Sequence, residues 1–245
     1  MVYPNTPVAA KVINEIMLKY CANAEYKNFK ILWFQVTPSL QVHSTEKAGL
    51  IKTLKDWKGK SVQASGGKEV TNKQIELMGG IPSFGKGAVK HAEYLKNGDI
   101  DICFWGWQPM ADGIGKLDGD WASLTKYRTQ CNIMFKGWPV LMNLDVWNSL
   151  PKDIQQTIDK LSGPERSVWA AKRAQAVEDE DRRRVEAFDK RVGNPPVYDL
   201  PDTEREIWRK VSEPAVLGWV KALEAKGLPG DKLLADLLSL VTKYS

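Results

Sequence analysis

The chain contains one stretch with the outline of a phosphate-binding loop, "GGIPSFGKG" from Gly79 to Gly87. Gly80 is followed by four residues and then by Gly85 and Lys86, the frame in which backbone N–H groups and a lysine cradle phosphates. The position that should carry the Mg²⁺-binding hydroxyl is Gly87, not Ser or Thr. The segment before it, "EVTNKQIELM", reads as a helix stopped by Gly79 and Gly80, whereas a true phosphate loop follows a strand. A helix cap and a turn into a strand "IPSF" is the favoured reading, with nucleotide or phosphate binding through Gly80 and Lys86 as the alternative.

Other reactive groups are scarce. Two histidines, His43 and His91, supply few general bases or metal ligands. Three widely spaced cysteines, Cys21, Cys103 and Cys131, form no CxxC pair, so neither a zinc site nor a disulfide scaffold is expected. No nucleophile–base pair is legible, and the chain is read as a non-enzyme without cofactors. The basic run "DRRRVE", Asp181 to Glu186, reads as a solvated helix face rather than a nucleic-acid grip. The net charge of +5 comes from 35 basic and 30 acidic residues that are interleaved, which argues the same way.

Tryptophan is the outlier, with ten in 245 residues. Most are expected in the core, since each buries a large apolar area. Trp105 and Trp107 flank a glycine, so on extended backbone they would face the same way. They could form an aromatic wall for a flat or cationic ligand.

The elements that must hold these residues follow from hydrophobic period. Residues 4–20 read as a helix with one apolar face, and "FKILWFQV" as a strand, with "TPSLQ" after it as a loop. Between residues 29 and 143 short strands and helices alternate, which predicts an α/β arrangement with largely parallel pairing. "DIDICFWGW" reads as a strand running into a loop, and "PVLMNLDVW" as a strand. Ser149 before Pro151 reads as the cap of the next helix. From Pro164 to Gly193 there are 28 intervening residues without Gly or Pro, a helix of ~40 Å. Two amphipathic helices close the chain. No apolar run reaches the ~20 residues of a membrane span, and the start has no secretory-signal pattern.

Four segments in order carry a resemblance: "LKDWKGKSVQASGG", "MGGIPSFGKGAVKHAEYLKNGDIDI", "VLMNLDVWNSLPKDIQQTI" and "GLPGDKLLADLLSLVTKY". From about Thr37 onward the chain resembles the solute-binding proteins of tripartite ATP-independent periplasmic (TRAP) transporters. The resemblance implies a two-lobed α/β periplasmic-binding-protein-like clamshell with a long helix spanning both lobes. Lobe I would comprise 1–40 plus about 160–197, and lobe II 41–159 plus 198–245. It implies a periplasmic protein that captures a small organic solute, an organic acid or aromatic compound, by hinge closure. Its partners would be that solute and the TRAP membrane subunits. The family's N-terminal part is expected to be incomplete here.

Site residues follow from the resemblance. The family's carboxylate-binding arginine aligns with Gln63, which can donate a hydrogen bond but brings no charge. Lys68, Lys86 or Lys136 would have to supply the cation. Ser65 follows Gln63 on the same face, and Gln41 falls in a ligand-side loop. Phe84 in the Gly-Lys turn, Trp105 and Trp107 at a strand end, and Phe135 and Trp138 before "VLMN" complete the ligand-binding candidates.

Overall fold

The computed structural model describes residues 3–64, 69–84, 88–116 and 120–245. The elements run α1 (Thr6–Tyr20), β1 (Phe29–Val36), β2 (Leu40–Ser44), α2 (Leu54–Trp57), β3 (Ser61–Ala64), α3 (Glu69–Leu77), β4 (Ile81–Phe84) and α4 (Ala88–Asn97). They continue through β5 (Ile102–Trp105), α5 (Trp107–Gly113), α6 (Trp121–Leu124), β6 (Tyr127–Met134), β7 (Gly137–Asn143), α7 (Leu144–Ser149) and α8 (Lys152–Lys160). The last four are α9 (Pro164–Val192), β8 (Tyr198–Asp199), α10 (Asp202–Glu224) and α11 (Gly230–Tyr244).

The chain divides into two compact units. The larger holds Leu40–Met134 and Glu178–Gly227; the smaller holds the chain up to Ser39, Phe135–Val177 and Leu228–Ser245. This corrects the expected lobe boundaries. Residues 135–159 and 228–245 belong with the N-terminal segment, because β7 pairs antiparallel with β1 from Phe29↔Asn143 to Val36↔Gly137. At the same time α11 lays Leu233, Leu237, Leu240 and Val241 on Val8, Val12 and Ile16 of α1. The 178–197 stretch belongs instead with the larger unit, where Val185 and Phe188 pack with Trp107 and Met110.

The larger unit is built on a six-stranded sheet ordered β4-β3-β5-β2-β6-β8. β3 is parallel to β4 and β5, and β6 to β8, but β2 runs antiparallel to both β5 and β6. The largely parallel sheet expected from the alternating pattern is therefore mixed. Only three residues separate β1 from β2, yet the two strands lie in different sheets, β1 with β7 and β2 between β5 and β6. The "TPSLQ" segment is correspondingly shorter as a loop than expected, and Gln41 lies in β2.

Strand alternation sorts the two sheet faces. Val42, Val62, Ala64, Ile102 and Phe104 join Trp57, Ile75 and Trp208 in one core. Trp57 meets Trp208 edge-on at 5.3 Å and lies 5.9 Å from Phe104. The opposite face carries Cys103, His43 and Arg128, which are direct cross-strand partners.

In the smaller unit Asn5 caps α1, its side chain accepting from Val8 N at 3.0 Å. Phe34 N donates to Ser167 Oγ and Gly163 N to Leu32 O, which tie the start of α9 to β1. The 29-residue α9 runs from Pro164 in its first turn to Gly193 just past its end, at φ +78°. The long helix is thus as expected. It belongs to the smaller unit through Val177 and to the larger from Glu178.

Three local readings are corrected. The strand ending "CFWGW" does not run into a loop; Gly106 is the N-cap of α5 and Trp107 its first residue. "NLDVWNS" is helical, with Asn143 accepting from Asp145 N and Val146 N, and Pro151 rather than Ser149 caps α8. The tryptophans are also less buried than composition suggests. Trp57, Trp107, Trp147 and Trp208 are buried, whereas Trp138, Trp169 and Trp219 are exposed.

Candidate functional site

The carboxyl ends of β3, β4, β5 and β6 and the start of antiparallel β2 form one edge of the larger unit's sheet. In open α/β sheets that edge is where ligands bind. Gln41, Gln63, Trp105 and Asn132 lie on it.

A bulge shapes this edge. The register between β2 and β6 shifts between Leu40 and Val42, and Asn132 adopts φ 51°. Gln41 repairs the interrupted ladder: its Oε1 accepts from Cys131 N at 2.8 Å and Asn132 N at 2.9 Å. Its Nε2 donates to Asn132 Oδ1, which also accepts from Gln130 Nε2 at 2.8 Å. Gln130 Oε1 in turn accepts from Trp107 Nε1 at 2.7 Å. Gln63 does a similar task on β3, where Oε1 accepts from Phe104 N at 3.1 Å.

The turn after β5 is held from three sides. His43 Nε2 lies 3.2 Å from the Trp105 carbonyl, so that nitrogen carries the proton and donates. Burial, with Arg128 nearby, holds the His43 imidazole well below its usual range and therefore neutral. Gln130 holds the Trp107 ring. Glu178 accepts from Trp107 N at 2.6 Å and Gln108 N at 3.2 Å. A Cβ on Gly106 would lie 2.9 Å from Glu178 Oε1, so glycine is needed for this close approach.

Glu178 is 5% exposed, and burial raises its carboxyl from 4.5 to about 7 despite the two N–H donors. Asp181 and Asp179 push the same way. A raised carboxyl makes a stabilising contribution that is complete below about pH 4.5 and is lost as pH rises to about 7. Glu178→Gln should therefore leave the melting temperature unchanged at pH 4.5 and raise it at pH 8, by up to about 3 kcal/mol of stability. Calorimetric scans of both proteins across this range test it; parallel pH profiles would refute it.

The residues picked out from sequence divide between the units. Gln41 and Trp105 are cross-strand partners, and Gln63 lies on the neighbouring strand to β5. Trp105 is half-buried and stacks on Trp121 at 4.5 Å, 16° between ring planes. Trp107 does not share its orientation on an extended segment, because the chain has turned into α5. Its ring is buried with Met110, Val185 and Phe188, edge-on to His43 at 5.3 Å. Phe135 and Trp138 belong to the smaller unit. Phe135 meets Tyr3 edge-on at 5.5 Å, and Trp138 is 50% exposed on β7. Ser65, Lys68, Gly85, Lys86 and Gly87 lie outside the described residues, and Phe84 is described only as the last residue of β4.

Around the Gly-Lys stretch, α3 precedes Gly80 and β4 follows it. A Cβ at Gly80 would meet Val62 Cγ2 at 2.8 Å, which assigns this glycine to packing. The basic run on α9 is internally neutralised: Arg182 forks onto Asp199 at 3.0 Å, and Arg183 and Arg184 pair with Glu180 and Asp181. Sequence reasoning missed Glu178, Gln130 and Asn132. A local hint was that acidic Glu178 falls two turns before apolar Val185, on the same side of the helix.

The description of the bacterial extracellular solute-binding proteins of family 7 matches residues 2–221. The chain belongs to this family. It is an extracellular-type solute-binding protein, not an enzyme.

Solved TRAP solute-binding proteins share its fold. One from Rhodoferax ferrireducens, in complex with copurified benzoate, is 21% identical over 99% of this chain and 72% of its own, with a TM-score of 0.84. A marine metagenome protein specific for aromatic acid ligands, in complex with 3-hydroxybenzoate, is 20% identical over 100% and 72%, with a TM-score of 0.82. One from Bordetella bronchiseptica, with bound (R)- and (S)-mandelate, is 19% identical over 98% and 72%, with a TM-score of 0.76. This likeness establishes the two-lobed α/β fold for the solute-binding protein described here. Among its described residues, no helix is long and apolar enough to cross a membrane.

Proposed function

We propose that this protein binds a small aromatic carboxylate in the periplasm and delivers it to the membrane subunits of a TRAP transporter. The family match over residues 2–221 carries the reading. The aromatic preference draws on the benzoate, 3-hydroxybenzoate and mandelate held by proteins of the same fold. The half-buried Trp105, stacked on Trp121 at the carboxyl edge of the sheet, supports it.

On the larger unit the proposed contacts are Trp105, Gln63, Ser65 and Phe84. Gln41 and Trp107 support this edge from beneath, since their polar groups are engaged in the bulge and the α5 turn. On the smaller unit Phe135 and Trp138 are proposed contacts. The cation facing the carboxylate is proposed from Lys68, Lys86 and Lys136.

Benzoate, 3-hydroxybenzoate and mandelate, with malate and succinate beside them, form the test panel. An aromatic acid at about 100 times its dissociation constant should add ~2.7 kcal/mol. That corresponds to a rise in melting temperature of roughly 5–10 °C for a chain of this size. No shift with any acid would remove the proposal. A shift with malate or succinate alone would replace the aromatic ligand by an aliphatic one.

A further inference from the structure

The backbone of the turn Trp105–Gln108 is hydrogen-bonded to α9 through Glu178, beside the apolar packing of Val185 and Phe188 on the Trp107 ring. Glu178 accepts both free N–H groups at the start of α5, from Trp107 and Gln108. It fits against Gly106 too closely for a Cβ at that position. It is also the first residue of α9 that belongs to the larger unit. From the sheet, His43 holds the Trp105 carbonyl and Gln130 the Trp107 ring, and from α6 Trp121 stacks on Trp105. Glu178 therefore sets the backbone of this turn against the part of α9 that belongs to the larger unit.

Resting on the solute-binding reading above, we propose that Glu178 is a positioning residue for solute binding: its ionised carboxylate holds the Trp105–Gln108 turn in the binding geometry, and protonation weakens solute affinity.

The physical basis is the number of acceptors. A carboxylate offers two oxygens, one for each N–H, whereas a protonated carboxyl turns one oxygen into a hydroxyl donor. The longer bond, to Gln108 N at 3.2 Å, is the one expected to be given up. The charged groups on α9 are Asp179 and Asp181, which oppose ionisation, and Arg182, whose guanidinium is drawn to Glu186 and Asp199 and lies 5.8 Å from the Trp107 ring. From the sheet, neutral His43 faces the same ring, and the Arg128 cation pairs with Asp189. α5 presents Asp112, which pairs with Arg184. The raised carboxyl places the transition near neutral pH.

The experiment has two arms on the full chain. Without solute, the amide resonances of Trp107 and Gln108 are followed from pH 5.5 to 8.5. Both should titrate together near pH 7 in the wild type and stay flat in Glu178→Gln. In the second arm benzoate binding is measured by calorimetry over the same range, in two buffers of different ionisation enthalpy. Wild-type affinity should weaken about tenfold towards pH 5.5, with proton release on binding near pH 7. Glu178→Gln, which keeps one acceptor oxygen, should bind weakly with no pH dependence. Should that variant fold poorly, Glu178→Asp replaces it: its carboxylate is one methylene too short and should show weak affinity at every pH. Amides that do not titrate, or a variant with the wild-type affinity and pH profile, overturn the proposal. Failure of benzoate and the other panel acids to bind at any pH would bring down the solute reading itself, and this proposal with it, whatever the amides do.

Discussion

Replacing Arg128 by methionine is expected to destabilise the protein by about 3–5 kcal/mol, the usual cost of breaking a buried ion pair from one side. Arg128 is 0% exposed in the larger unit and its partner Asp189 almost as enclosed. The guanidinium donates to Asp189 Oδ1 at 3.1 Å, to the Ala122 carbonyl at 2.8 Å and to Thr125 Oγ1 at 2.6 Å. Methionine removes these bonds at once, with the longer one to the Tyr127 carbonyl, and leaves a carboxylate that still accepts from Asn194 Nδ2. Burial already pushes the Asp189 carboxyl up and the Arg128 guanidinium down, so the pair is costly to enclose. Hence the double change Arg128→Met with Asp189→Leu should recover most of the loss. Urea unfolding at pH 7, followed by fluorescence, measures both. A single change that costs less than about 1 kcal/mol would mean that the pair is not buried as described.

Trp208→Ala should cost about as much, 3–5 kcal/mol, through the cavity left in the core. The ring is fully buried and stands edge-on to Trp57, which in turn packs against Phe104. Its Nε1 donates to Glu204 Oε1 at 2.9 Å one turn earlier on α10, so the indole meets both its apolar and its polar requirement. Trp208 also joins α10 to the sheet core that contains Ile75 of α3. Trp208→Phe should cost distinctly less, because most of the volume stays. Melting curves of the two variants decide: equal losses would show that the hydrogen bond to Glu204, not packing, holds the helix.

Much of this was legible in the residues. α1, α3, α4, α9, α10 and α11 follow from caps, apolar period and glycine stops, all of which act within a few residues. The Gly79–Gly80 stop explains why a stretch that looks like a phosphate loop leads from a helix into β4. The candidate site was legible only in outline. Gln41 and Trp105 do meet on one sheet edge, but through a bulge at Asn132 that no local pattern announces. Trp107 left the shared face because Gly106 starts a helix there, with Glu178, 71 residues further on, taking the N–H of Trp107.

By itself the amino-acid sequence determined most element types, α5 and α7 excepted, the long α9 and membership of a solute-binding family, since each rests on short-range pattern or on motif order. Only the tertiary structure decided that β7 joins β1, that α11 joins α1, and that β2 runs against its neighbours. It alone also decided that a buried glutamate fastens the Trp105 turn. These depend on pairings between residues tens to hundreds of positions apart. Such pairings are chosen by which surfaces bury each other and which buried N–H groups need an acceptor, and neither is written in any one segment.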